Sequence, residues 1–373
     1  GTAYVEYATA KENLNDHLYK SDEEQQVILT TAVDIIKLPY DSNEYTTLTG
    51  NGSMPYQIVV SQDGKVYIAL DYLAQYTALQ YSVEQEPLHI IINNQWGTKT
   101  FSDVIKEESV RLDADIKSPI LKKEATGDKV TVLEQEEEWT KVLTADGYIG
   151  YMKSKKLSDS YEEQVTSDFR AAEYTSIHKD YDMNLLWHQV TSQDSNDALA
   201  ADIQDVKGVN VISPTWFSIS SNDGDISSLA SSDYVDTAHQ NDMEVWGLMD
   251  NFSTDIDTDT VLGTTTSREN LEGQLITEAL NYQLDGINID IESLPEETSE
   301  SYVQFMRELS VKCRNNNLVL SVDVPSPYSF NEHYSQKELG EVVDYVIIMG
   351  YDEHYVGSDA GSCLLYTSPS PRD

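Results

Sequence analysis

The octapeptide DGINIDIE, Asp285 to Glu292, alternates Ile287, Ile289 and Ile291 with Asn288, Asp290 and Glu292. As a strand it would send the isoleucines to one face and the three polar groups to the other. Two carboxyls two residues apart on one face suit acid–base chemistry, because burial and like-charge proximity hold one protonated while its neighbour ionises. Buried carboxylates are costly unless paired, hydrogen-bonded or used, so this face is expected to be functional. The same spacing occurs in calcium loops, but the glycine such a loop needs is missing and the isoleucines suit a strand. The run DIDTDT, Asp255 to Thr260, fails the same glycine test and is expected to be a solvated loop.

What positions those carboxyls is legible downstream of residue 180, where β-rich runs alternate with helical ones, the pattern of parallel βα units. Candidate strands begin at Asn184, Val209, Glu244, Gly286, Leu318 and Tyr345. Their spacing of about 32 residues matches a (β/α)8 TIM barrel, in which about 250 residues carry eight units. Six strands are counted and two are missing, so the barrel is expected to be truncated after strand six. Active sites of such barrels sit at the C-terminal strand ends, where Glu292 closes the fourth strand and MGYD, Met349 to Asp352, the sixth. Asp285 is expected to brace the start of the fourth strand, beside Gly286.

DGINIDIE resembles the family 18 glycoside hydrolase signature Asp-x-x-Asp-x-Asp-x-Glu, and MGYD resembles that family's Met-x-Tyr-Asp. The resemblance covers about 180–362 and is nearest to the bacterial branch containing spore-cortex-lytic N-acetylglucosaminidases. It implies retaining, substrate-assisted hydrolysis of β-1,4-linked N-acetylglucosamine polymers, peptidoglycan or spore cortex before chitin, with the acetamido group as nucleophile. Glu292 would be the general acid, Asp290 would orient the acetamido group, and Tyr351 would hydrogen-bond its oxygen. Asp352, Asn288 and Met349 would line the same subsite. Trp187, Trp216 and Trp246 fall in candidate strands, where they could stack on sugar faces near the barrel mouth but are expected in the core. The second Asp of the signature is Asn288 here; an amide could keep a hydrogen bond to Asp290 but could not share its charge. A catalytically silent carbohydrate-binding wall protein is the alternative, and the presence of Glu292 argues against it.

The preceding chain divides into a small α+β stalk-like domain, 1–110, and a domain at 111–160 that resembles bacterial Src-homology-3-like barrels. In the first, QIVVSQDGKVYIAL reads as two strands around an Asp63-Gly64 turn, and the stretch resembles stalk domains named after copper amine oxidase N-termini, with no copper ligands implied. In the second, KVTVL, WTKVLT and YIGYM read as strands, and the resemblance implies cell-wall peptide as a further partner. With the family 18 barrel assigned to 180–362, residues 363–373 resemble sequencing-adapter read-through and are expected to lie outside the fold. The chain begins at Gly1 without a Met, so an export signal or anchor is expected upstream. A chain of these six strands is expected to be unstable or inactive.

Composition excludes several classes. With 24 Lys+Arg against 65 Asp+Glu, the formal charge of −41 repels phosphates, so neither nucleic acid nor an anionic bilayer is an expected partner. No apolar run is long enough to cross a membrane. The seven His are scattered without metal-ligand spacing, so no metal or other cofactor is expected. Outside the tail the single cysteine, Cys313, is expected to be a buried helical thiol. An extracellular, wall or spore location follows from the resemblance.

Overall fold

The structure is a computed structural model that describes residues 1–350. The chain forms two compact units, one of residues 1–16, 41–43 and 54–171, the other of residues 17–40, 44–53 and the chain from 172 onward.

The second unit holds the site and is built on six parallel strands in sequential order, β1 (Leu185–His188), β2 (Val211–Ile219), β3 (Glu244–Asp250), β4 (Gly286–Asp290), β5 (Val319–Pro325) and β6 (Tyr345–Met349). Connecting helices are α1 (Leu199–Asp202), α2 (Ser232–Gln240), α3 (Thr258–Gly263), α4 (Thr265–Asn281), α5 (Ser299–Asn315) and α6 (Gln336–Val342). Six parallel strands with crossover helices fit the first six units of a TIM barrel. Strand starts lie within two residues of the positions expected from the sequence.

Both faces of β4 are buried, which is why its flanking strands are nearly continuous apolar runs. Ile287 and Ile289 face the helices and join Val322, Leu275, Phe305 and Leu309 in the main core. The opposite face begins with an apolar plug of Val211, Trp246 and Val319, against which Leu185 and Tyr345 pack. Gly286 lies in that plug because a Cβ there would come within 2.8 Å of the Val319 carbonyl oxygen and 2.9 Å of the Trp246 ring. Above the plug the inward positions turn polar. Cys313, on α5, is buried and free.

An antiparallel sheet of five strands, from Leu18–Ser21 to Asn51–Ser53, belongs to the same unit and docks on α4 and α5. Tyr19, Ile28 and Ile35 pack on Val311, and Tyr19 Oη lies 3.1 Å from Ser301 Oγ. Beneath them Arg268, fully buried, donates through Nε to Glu308 at 2.9 Å and stacks under the Tyr19 ring. Glu24 carries the N-terminus of α4: its two carboxylate oxygens accept the backbone N–H groups of Thr265 and Thr266, each at 2.9 Å. Helix N-termini favour such anions.

In the first unit, Val59–Gln62 and Lys65–Ala69 form the hairpin expected around Asp63-Gly64, both turn residues having positive φ as a type I′ turn requires. Seven further strands, running from Gly97–Asp103 to Tyr161–Val165, make one antiparallel sheet. It contains the runs KVTVL, WTKVL and IGYM, and Trp139 is buried with Lys153 Nζ 4.2 Å above its ring.

Burial raises the Glu24 pKa, but the hydrogen bonds from Thr265 and Thr266 outweigh it and bring it down to about 2. A lowered carboxyl contributes stability above its unfolded value near 4.5 and loses it as pH falls through about 2. Glu24→Ala is therefore expected to cost about 0.5–2 kcal/mol at pH 7, the usual worth of a helix cap, and much less near pH 2, as thermal melts at the two pH values would read.

Candidate active site

Asp250, Asp290 and Asp323 stand at one level, at the C-terminal ends of β3, β4 and β5. Asp250 pairs in register with Asp290, and the Ile289–Val322 pair sets Asp323 beside Asp290. All three are buried, at 7, 8 and 1% exposure. Asp250 accepts the Ser218 hydroxyl, at 3.0 Å to one oxygen and 3.1 Å to the other. Asp323 Oδ2 accepts from Asn288 Nδ2 at 2.6 Å and from the Trp187 indole N–H at 3.0 Å. Among the described residues, Asp290 Oδ1 and Asp323 Oδ1 are buried without a hydrogen-bond partner, and no Lys, Arg or His pairs with these three aspartates.

Burial without a counter-charge sets the protonation. Asp290 is pushed up to about 7, first by burial, then by the charges of Asp323, Glu292 and Asp250. Asp323 is also pushed up to about 7, by burial and by Glu292, against the opposing hydrogen bonds from Asn288 and Trp187.

Glu292 is half-buried, two residues beyond Asp290. Asn251, just after β3, holds its backbone on both sides: Glu292 N–H donates to Asn251 Oδ1 and Asn251 Nδ2 donates to the Glu292 carbonyl, both at 3.0 Å. The next residue, Ser293, sits at φ 53°, a left-handed conformation that costs a non-glycine residue about 1–2 kcal/mol. The backbone under Glu292 is thus clamped and then turned sharply.

Asn288 is fully buried in the layer below Asp290. Its Nδ2 reaches Asp323 and its Oδ1 accepts the Ser321 hydroxyl at 2.6 Å, so its hydrogen bonds go to β5 where the sequence pointed to Asp290. Asp285 lies at the other end of β4, where its Oδ2 accepts from the Val245 N–H and His239 Nε2, both at 2.8 Å, tying β3 to the start of β4. Met349 is buried at the end of β6, and its carbonyl faces the Ser326 hydroxyl at 3.4 Å. Tyr351 and Asp352 lie outside the described residues.

Trp216 and Trp246 are core residues as expected, whereas Trp187 is half-buried and spends its N–H on Asp323. Sequence reasoning missed Asp323, Asp250 and Asn251. The alternation of LSVDVP, which places Ser321 and Asp323 on one strand face, is the signal that could have found the first. It also missed three exposed aromatics on the loops after β3 and β5: Phe252, and the stacked pair Tyr328 and Phe330, with ring centroids 5.4 Å apart.

The raised pKa of Asp290 gives a direct expectation. Between the unfolded value near 4 and the folded value of about 7 the folded chain holds more protons, so this group lowers stability as pH rises through that window. Asp290→Asn is expected to raise thermal stability at pH 8, by on the order of 1–3 kcal/mol, and to make little difference at pH 4.

Comparison with known proteins agrees with the geometry. Residues 245–368 match the family model of glycosyl hydrolases family 18, a span that runs from β3 into the tail that begins at Cys363. Residues 109–158 match the bacterial SH3 domain model. Among curated relatives, an uncharacterized glycosylase, YvbX, of Bacillus subtilis is 26% identical over 166 residues, covering 41% of this chain and 48% of the relative. A cortical fragment-lytic enzyme of Bacillus anthracis is 30% identical over 112 residues, covering 29% of this chain and 26% of the enzyme. The solved spore cortex-lytic enzyme SleL of Bacillus megaterium QM B1551 aligns with a TM-score of 0.42 at 18% identity, over 54% of this chain and 48% of that one. The chain spans about half the length of the first of these curated relatives and about a quarter of the second. In the second unit, the strands that carry Asp250, Asp290, Glu292 and Asp323 therefore lie in a segment similar to family 18 glycosyl hydrolases, and the stretch at 109–158 is similar to bacterial SH3 domains.

Proposed function

We propose that the site hydrolyses β-1,4-linked N-acetylglucosamine polymers, peptidoglycan or spore cortex before chitin, with retention of configuration. The observation that carries this reading is the row of buried carboxyls at the strand ends, with no cation beside them among the described residues, in the segment that matches family 18. The lean towards wall polymer rests on the cortex-lytic relative and on the bacterial SH3 match, whose stretch would take a cell-wall peptide. A wall or spore location goes with the same reading.

In the proposed reaction Glu292 donates a proton to the glycosidic oxygen as the bond breaks, and the substrate's own acetamido oxygen closes on the anomeric carbon. Asp290, ionised, faces the positive charge that spreads onto the acetamido nitrogen. Tyr351 would hold the acetamido oxygen, and Asp352, Asn288 and Met349 would complete the subsite. Glu292 then takes a proton from the water that opens the cyclic intermediate. The clamp from Asn251 fixes where the acid stands, and such placement accounts for much of a rate enhancement. Phe252, Tyr328 and Phe330 offer apolar faces for pyranose rings beyond the reacting sugar.

Glu292→Gln is expected to lower turnover of peptidoglycan and N-acetylglucosamine oligosaccharides by at least about 100-fold while leaving sugar affinity in place. Mass spectrometry of released products together with equilibrium binding reads both; unchanged turnover would remove Glu292 from the role, and binding without turnover in the parent protein would favour a binding module. Phe330→Ala is expected to raise KM for long oligosaccharides several-fold and to leave kcat for the shortest substrate unchanged.

A further inference from the structure

The family signature has a carboxylate where this chain has Asn288, yet Asp290 keeps a carboxyl neighbour on the adjoining strand. Asp323 stands one strand away, at the level of Asp290, and is held by the amide that replaced the signature's second Asp. The amide's orientation follows from chemistry: an ionised carboxylate only accepts, so Asn288 presents its Nδ2 to Asp323 and its Oδ1 to the Ser321 hydroxyl. The Trp187 indole N–H fixes the same Asp323 oxygen from β1, leaving Oδ1 buried without a partner among the described residues. Two donors on one oxygen hold the carboxyl in place and favour its charge.

We infer that Asp323 is a positioning residue for the hydrolysis proposed above, a carboxylate displaced from β4 to β5 that governs the protonation of Asp290 while Asn288 and Trp187 hold it in place. The inference rests on that functional reading for its link to rate. The charged and titratable groups that interact with Asp323 are Asp290 and Glu292, from β4 and the residues after it, and the buried Tyr302 hydroxyl from α5, while Asp250 of β3 acts on Asp290. An ionised Asp323 disfavours ionisation of Asp290, and Asp290 must ionise to face the developing positive charge. The acidic limb of the rate profile therefore reports how strongly Asp323 acts on Asp290.

The test is the pH dependence of kcat/KM on an N-acetylglucosamine oligosaccharide for four forms of the full chain. Asp323→Asn is expected to move the acidic limb down by about one pH unit, because one like charge is removed. Asn288→Asp is expected to move it up, and the double variant N288D/D323N, which returns the carboxylate to β4, to bring it back towards the parent value. A fall in kcat with the limb unmoved in all three variants would reduce Asp323 to a structural role and overturn the inference. The pH dependence of thermal unfolding of the same four forms needs no turnover. If no form is active but the pH window of stability loss shifts in the same order, the link to rate is lost and the coupling of Asp323 to Asp290 stands. If the window is the same in all four, the coupling itself is refuted. Should Asp323→Asn fail to fold, Asn288→Asp alone decides by the direction of its shift.

Discussion

Carboxyl groups buried side by side on three adjacent strands, without a cation beside them among the described residues, are the constraint around which the second unit is arranged. Each aspartate at the ends of β3, β4 and β5 would ionise readily in water; buried and packed together, Asp290 and Asp323 resist it. The fold meets the cost with fixed dipoles: the Ser218 hydroxyl on Asp250, and the Asn288 amide and Trp187 indole on Asp323. These partners come from strands whose register is set by the apolar plug beneath. The plug in turn needs Gly286 to let Val319 and Trp246 close over the strand.

The contrast with the helix layer is instructive. There Glu308 is buried with Arg268, and Lys312 Nζ stands 2.5 Å from Glu272, whose carboxyl is nonetheless pushed up by burial and by Glu308. Those pairs lie where α4 and α5 meet, with the five-stranded sheet over them, and Lys37 of the sheet pairs with Glu269. A buried charge with its partner serves docking and register, whereas an unpaired one is costly to keep and is retained where protons have to move.

Much of this was legible in the sequence, because strict alternation in DGINIDIE and recurrent β-rich runs are backbone-period signals that tertiary context does not reverse. Strand placement, the inward face of Asn288 and Asp290, the hairpin at Asp63-Gly64 and the buried Cys313 all follow from local pattern. What was not legible depends on which strands lie side by side. Asp323 is one acidic residue in an apolar run until β5 is set next to β4, and Asn251 is an ordinary post-strand amide until Glu292 comes within its reach. The docking of residues 17–53 on the helices is of the same kind, since Glu24 gives no local sign of capping a helix that begins at Thr265.

The most direct measurement is a carboxyl-carbon NMR titration of the aspartate-labelled protein, with Asp290→Asn and Asp323→Asn used to assign the signals. The account predicts two buried aspartates titrating near pH 7, the signal of each moving when the other is replaced. Two carboxyls that titrate near 4, each indifferent to loss of the other, would mean a solvated and uncoupled site, and would contradict it.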